Sequence, residues 1–329
     1  MGALFSGPFM SYGRQKCIIF TNFFCIAGSI LSLLPFKTED ALSVSAYLYT
    51  GRFLFGLAAG CFSVYCPKYI SEVTPIEIKG PAGSITQISI TFGILITGLG
   101  GLSFGDVSGY NKDQCLWFYN ILNIIPLVLS LIQVGLMWTV FPFDTPPMLK
   151  QKGDYQTLNT LMGKIYKPHM VQKRIDELQG NESDMDMTNN ESNGLSYGVV
   201  FSSPLYRKAS LVGCTLAMFQ QLTGINIIMF YSSKIFGKLN SGLSGPQVTG
   251  IVAAVNFVTT VMSLPLLSKF GRKTLMLWGN AAMAIVLLGT GYCSISSDFT
   301  VMIGLVMLFI ALFEFSSGPI TWLYMSEIM

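Results

Sequence analysis

Long apolar runs separated by short polar breaks fill most of this chain. Eight runs have spanning length: about Cys17–Pro35, Val44–Tyr65, Pro81–Ser103, Trp117–Phe141, Leu211–Phe236, Val248–Leu267, Leu275–Cys293 and Thr300–Met325. A helix needs about 20 residues to cross a bilayer. Barrel strands would alternate apolar and polar positions over about ten residues, and these runs do not. Backbone polar groups in lipid must be bonded internally, so the pattern predicts an all-α, polytopic membrane protein. Gly2–Met10 is apolar but too short to cross.

One segment breaks the pattern. From Phe143 to Pro204 the chain carries Lys150, Lys152, Lys164, Lys167, Lys173, Arg174 and an acidic, Asn-rich stretch from Glu177 to Glu191. Four spans precede it and four follow. The expected organisation is an N-terminal helical bundle over 1–142, a linker over 143–207, and a C-terminal bundle over 208–329. Short helices are expected in the linker near Tyr155–Tyr166 and Val171–Leu178. Placing the linker in the cytosol puts fifteen Lys and Arg on the inner side against five outside. Without the eight basic residues from Lys150 through Lys208 the ratio is seven to five, in the same direction, as basic residues favour the cytosolic face. The sequons at Asn181 and Asn190 are then chance matches.

Composition narrows the function. Of 329 residues, 51% are hydrophobic and 11% charged, against about 25% charged in ordinary soluble domains. The net charge of +3 is too small and scattered for a nucleic-acid footprint. Seven cysteines show no metal or redox spacing, and Cys61 and Cys66 read as buried thiols. No cofactor or metal is expected. The N-terminus lacks a basic region followed by a short apolar core and a cleavage site. The one histidine, His169, lies in the linker, and no nucleophile–base pair stands out in the spans. An enzyme is not expected, and no phosphate-binding loop suggests ATP drive.

Two loops repeat. Gly13-Arg14-Gln15-Lys16 and Gly271-Arg272-Lys273 occupy equivalent places in the two halves, and duplicated halves mark secondary transporters. Further motifs are Gly51-Arg52-Phe53 with Tyr69-Ile70-Ser71-Glu72-Val73-Thr74-Pro75, Gln87, Gln220-Gln221-Leu222-Thr223-Gly224-Ile225-Asn226, and Phe313-Glu314 through Gly318-Pro319-Ile320-Thr321-Trp322. Together they resemble the sugar porters of the major facilitator superfamily, which include the facilitative glucose transporters. Asp144-Thr145-Pro146 resembles that family's Glu-Ser-Pro. The resemblance implies a major facilitator fold spanning helices two to ten of twelve, with Gly2–Met10 matching the end of helix two. On that reading a polypeptide of this length is not expected to transport by itself. It also implies facilitative transport of a hexose such as glucose by alternating access, in the plasma membrane. Proton symport and a non-transporting sugar receptor are the alternatives.

The residues suit that chemistry. A sugar leaving water needs its hydroxyl bonds replaced by neutral groups, and amides both donate and accept. Gln87, Gln220, Gln221, Asn226 and Asn256 lie inside apolar spans, where polar groups are costly unless they are used. The resemblance places Gln220, Gln221 and Asn226 in the family's sugar site. Glu314, the carboxylate deep in an apolar run, and Trp322 complete the candidate substrate site. Trp322 could equally be an interfacial anchor. Asn22, Asn120, Asn123 and Gln133 are expected to bond helix to helix. Gln220 and Asn226 would point about 120° apart on a regular helix, so the helix is expected to open at Gly224. A second break is expected at Gly318-Pro319. Arg14, Glu72, Lys79, Arg272 and Glu327 fall at cytosolic helix ends and form a candidate gate. Gln15, Lys79 and Pro147 stand where the family usually has arginine, which implies a weaker gate.

Overall fold

The computed structural model describes residues 1–34, 41–102, 112–186, 204–237, 245–296 and 299–328, and among them all regular structure is helical. The helices are α1 (Gly2–Phe9), α2 (Arg14–Leu33), α3 (Ala41–Val73), α4 (Lys79–Leu102), α5 (Lys112–Thr139), α6 (Pro146–Gln151) and α7 (Tyr155–Ile165). They continue as α8 (Pro168–Asp186), α9 (Pro204–Leu222), α10 (Ile225–Gly237), α11 (Gly245–Lys269), α12 (Arg272–Ser296), α13 (Phe299–Phe315) and α14 (Ser317–Ile328). Eight stretches of the described residues are long and apolar enough to cross a membrane, the number the apolar runs predict.

Two differences from the expected helices, and the expected opening at Gly224, have local causes. The second run is expected to end at Tyr65, yet α3 continues to Val73. Charge ends the apolar run without ending the helix, and Lys68 pairs with Glu72 one turn later at 3.8 Å. The fifth run splits into α9 and α10 at Thr223-Gly224, where Gly224 takes φ +83°, a conformation that costs a side-chain-bearing residue. The eighth run splits into α13 and α14 at Ser316. Pro319 sits in the first turn of α14, and a proline ring in a continuous helix clashes with the carbonyl four residues back, here that of Phe315. The break therefore precedes the Gly-Pro pair.

The described helices fall into two compact units. One gathers α1–α3 with α5–α8; the other gathers α4, from Gly80 onward, with α9–α14. In the first, α2 packs along α3 and α5. In the second, Ile225, Val252, Met283, Phe309, Ile310 and Phe313 form a buried apolar core drawn from α10–α13. Phe92 of α4 meets Phe257 of α11 with ring centroids 5.6 Å apart.

The linker is more ordered than its composition suggests. Its described part forms α6–α8, with Leu149, Leu158, Met162 and Ile175 in an apolar core of their own. Asp154 caps α7 by accepting from Thr157 N at 3.1 Å. Arg174 of α8 bridges Glu77 and Glu177 and lies over the Tyr166 ring. Bonds from its own backbone and from Arg174 hold the Glu77 carboxyl below its ordinary range. Asn190 lies outside the described residues, as does the side chain of Asn181.

The spectator asparagines behave differently from the expectation. Asn22 Nδ2 donates to Ile18 O at 2.9 Å and Asn123 Nδ2 to Tyr119 O at 2.8 Å. These bonds close within one helix and do not join two, because the i−4 carbonyl lies within reach of a short amide side chain.

Candidate functional site

The second unit brings three predicted polar residues, Gln87, Asn256 and Glu314, into one buried network. Glu314, near the C-terminal end of α13, is 1% exposed. Its Oε1 accepts from Asn256 Nδ2 of α11 at 2.9 Å, and both its oxygens lie 3.2 Å from Gln87 Nε2 of α4. Thr260 Oγ1, one turn after Asn256, lies 3.0 Å from Oε2. Thr260 does not stand out in the sequence, although its spacing of four from Asn256 puts both on one helix face. Among the described residues no cation pairs with Glu314. Neutral donors carry its compensation for burial, which would otherwise cost several kcal/mol.

The carboxylate fixes the direction of its neighbours. An ionised carboxylate only accepts, so Asn256 turns its Nδ2 toward Glu314. Its Oδ1 is then left buried with no partner among the described residues. A buried acceptor without a donor is uncommon in a folded protein and calls for an explanation.

Gln220, on the last turn of α9, belongs to a second cluster at the α13–α14 break. It is buried, and its Nε2 donates to Ser317 O at 3.1 Å and Gly318 O at 3.4 Å. Backbone carbonyls accept only, so the Nε2 end is again the one that faces them. Gly318 in turn lies beside Glu314: a methyl group added there would sit 2.8 Å from Oε2. The break thus places the Glu314 and Gln220 clusters next to each other.

Gln221 and Asn226 do not join this network. Both are exposed and bond each other, Asn226 Nδ2 to Gln221 Oε1 at 2.6 Å, across the opened Gly224. Trp322 of α14 is half-buried.

The candidate gate residues divide between the units. In the first, Arg14 binds Glu72 through two nitrogens, Nη2 to Oε1 at 3.0 Å and Nε to Oε2 at 3.1 Å. Thr145 Oγ1 donates to Glu72 Oε2 at 2.6 Å. Asp144 Oδ1 accepts from Arg14 N at 2.9 Å and Gln15 N at 3.3 Å, capping α2, while Lys152 Nζ pairs with Oδ2 at 3.1 Å. Capping by a carboxylate satisfies free N–H groups and favours the positive end of the helix dipole. The sequence comparison marked Asp144 and Thr145 as a motif without seeing this role, and it missed Lys152. Lys79 has no ion-pair partner among the described residues. Arg272 begins α12 in the second unit, and the Glu327 side chain lies outside the described residues.

The family described as "Sugar (and other) transporter" matches residues 1–329. Hexose transporter 1 of Toxoplasma gondii is 32% identical over 343 aligned positions, covering 100% of this chain and 58% of the relative. Glucose transporter GlcP of Staphylococcus epidermidis is 29% identical, covering 100% and 69%. The Gallus gallus facilitated glucose transporter member 3 of solute carrier family 2 is 31% identical, covering 97% and 62%. The chain thus spans about three fifths of the length of several relatives it matches. Among solved structures, the xylose transporter XylE from E. coli in a partially occluded inward-open conformation superposes with a TM-score of 0.75 at 23% identity, covering 99% of this chain and 74% of that one. This likeness establishes a partial major facilitator fold.

Proposed function

The chain belongs to the sugar transporter family, and from that premise we propose that it carries a hexose such as glucose across the plasma membrane by facilitative alternating access. The observation that carries this reading is the unpartnered, buried Oδ1 of Asn256 beside Glu314. A sugar hydroxyl is the donor such an acceptor lacks, and burial makes the bond worth forming. Gln87 and Gln220 spend their Nε2 groups on protein acceptors, which leaves their carbonyl oxygens for further hydroxyls. Gln221, Asn226 and Trp322 complete the site. Their exposure within the unit suits residues that meet a ligand or a moving partner surface. The names of the relatives, hexose and glucose transporters, favour a hexose.

In this proposal the linker faces the cytosol, as the excess of Lys and Arg on that side supports. The Arg14–Glu72–Asp144 network of the first unit, with Lys79, and Arg272 and Glu327 of the second are then the cytosolic gate residues. The network ties the start of α2 to the end of α3 and the linker, so that this rim moves as one piece. Ser183→Cys should label with an impermeant thiol reagent only after the membrane is opened; labelling of intact cells would invert this topology.

The direct test is uptake of labelled hexoses into proteoliposomes holding the protein as its gene encodes it, with and without a pH gradient. Saturable uptake indifferent to the gradient is expected, and no saturable uptake would refute the reading. One observation favours a second reading: Glu314 is a buried carboxylate paired with no cation among the described residues, a suitable proton carrier. Under proton symport, Glu314→Gln would abolish gradient-driven uptake while sparing sugar exchange. Under facilitation, exchange and net uptake would keep a similar pH response.

A further inference from the structure

We propose that Asn280, on α12, is a positioning residue for the sugar site and acts through Ser317 on Gln220. This rests on the functional reading above. Ser317 Oγ donates to Asn280 Oδ1 at 2.7 Å, and Ser317 is buried at the first position of α14. The carbonyl of that same residue accepts Gln220 Nε2. Asn280 therefore holds the hydroxyl of the residue whose backbone holds Gln220.

The local packing favours this single arrangement. Gly279, the residue before Asn280, touches the break: a methyl group added there would collide with Ser316 Cβ. The absence of a side chain lets α12 approach closely enough for a short Asn side chain to reach Ser317. Left alone, a serine hydroxyl in a helix bonds to a carbonyl of the preceding turn, as Ser316 does with Leu312 O at 2.7 Å. Ser317 instead bonds outward to another helix. Thr321 Oγ1 adds a second donor to Ser317 O at 2.7 Å. The Ser317 peptide is thereby fixed from α12 through its side chain and from α9 through its carbonyl. Neither Asn280 nor Ser317 need touch the sugar. Their effect is to set where the Gln220 carbonyl oxygen points, which is a matter of binding and of discrimination between sugar epimers.

The test uses the protein as its gene encodes it, with equilibrium binding of labelled glucose, uptake kinetics and melting temperature measured for each variant. Asn280→Leu is expected to raise Kd and KM about 5- to 20-fold while changing kcat less than about twofold, in the range expected for one misplaced hydrogen bond. It should also narrow the preference between glucose and galactose. Asn280→Asp keeps the acceptor oxygen and should restore binding to within about threefold. Ser317→Ala should reproduce the Asn280→Leu loss, and the double variant should add nothing further. In a Gln220→Ala background Asn280→Leu should have no effect on Kd. If Asn280→Leu fails to fold, the Ser317→Ala comparison in the two backgrounds carries the same decision. Normal binding and selectivity in folded Asn280→Leu or Ser317→Ala, with Gln220→Ala still weakened, would overturn the proposal and leave the site intact. Normal binding in Gln220→Ala would overturn both.

Discussion

The two units each bury a carboxylate near a helix end and solve the problem differently. In the first, Glu72 and Asp144 are matched by full charges, Arg14, Lys68 and Lys152, reinforced by hydroxyl and backbone donors. In the second, Glu314 is surrounded among the described residues by neutral donors only, from Gln87, Asn256 and Thr260. The difference matches the roles proposed for the two sites. A charged network is strong while assembled and costly to open, which suits a rim that must be held or released as a whole. A neutral network can exchange one hydrogen bond for another at little net cost. That suits a site where a ligand replaces the protein's own partners.

The largest effect should come from breaking the charged site on one side. Arg14→Met leaves Glu72, whose side chain is 9% exposed, with Lys68 at 3.8 Å as its remaining cation among the described residues. A loss of about 3 kcal/mol is expected, as for other buried pairs deprived of one partner. Adding Glu72→Leu should recover most of it, because an apolar pair of similar size often replaces a buried ion pair without loss. Melting curves of the single and double variants in detergent decide this; equal damage in both would mean that the ion pair is not the source of the cost.

Removal of the neutral site's hub should cost less. Glu314→Leu strands the donors of Gln87 and Asn256, at about 2 kcal/mol in sum, since Thr260 can turn its hydroxyl to Asn256 O, already 2.7 Å away. The same melting assay would read it, and a loss exceeding that of Arg14→Met would reverse the comparison.

Gly224→Ala tests the opened helix beside the site. At φ +83° a β-carbon adds about 1 kcal/mol of strain, and Gly224→Asn should lose less, because asparagine tolerates that region better. Equal melting of all three proteins would show that the helix does not open there in the membrane.

The smallest effect concerns the Arg174–Glu77 pair, which lies outside both networks. The Glu77 carboxyl is held below its ordinary range by its backbone bond and by Arg174. Its contribution is therefore complete above the unfolded carboxylate value of about 4.3 and is lost as pH falls through the lower folded value. Limited proteolysis of the linker should be constant from about pH 5 to 8 and accelerate only below about pH 4. Glu77→Gln should remove that acid response; an unchanged response would assign it to another group.

The class, the eight spans and the family are legible in residue order alone, because twenty-residue apolar runs and the Gln-Gln-Leu and Gly-Pro motifs are local features that lipid and proline chemistry read without tertiary help. Residue order also located the carboxylate and amides that cannot be left idle in apolar surroundings. Pairing was beyond it. That Asn256 turns its donor to Glu314 and keeps a bare acceptor, and that Gln220 hangs on the Ser317 carbonyl, depend on distances between atoms far apart in the chain. Only the tertiary structure decided those, since a side-chain amide has two chemically opposite ends and nothing in sequence spacing says which end meets a partner. The capping of α2 by Asp144, 130 residues away, was undecided for the same reason.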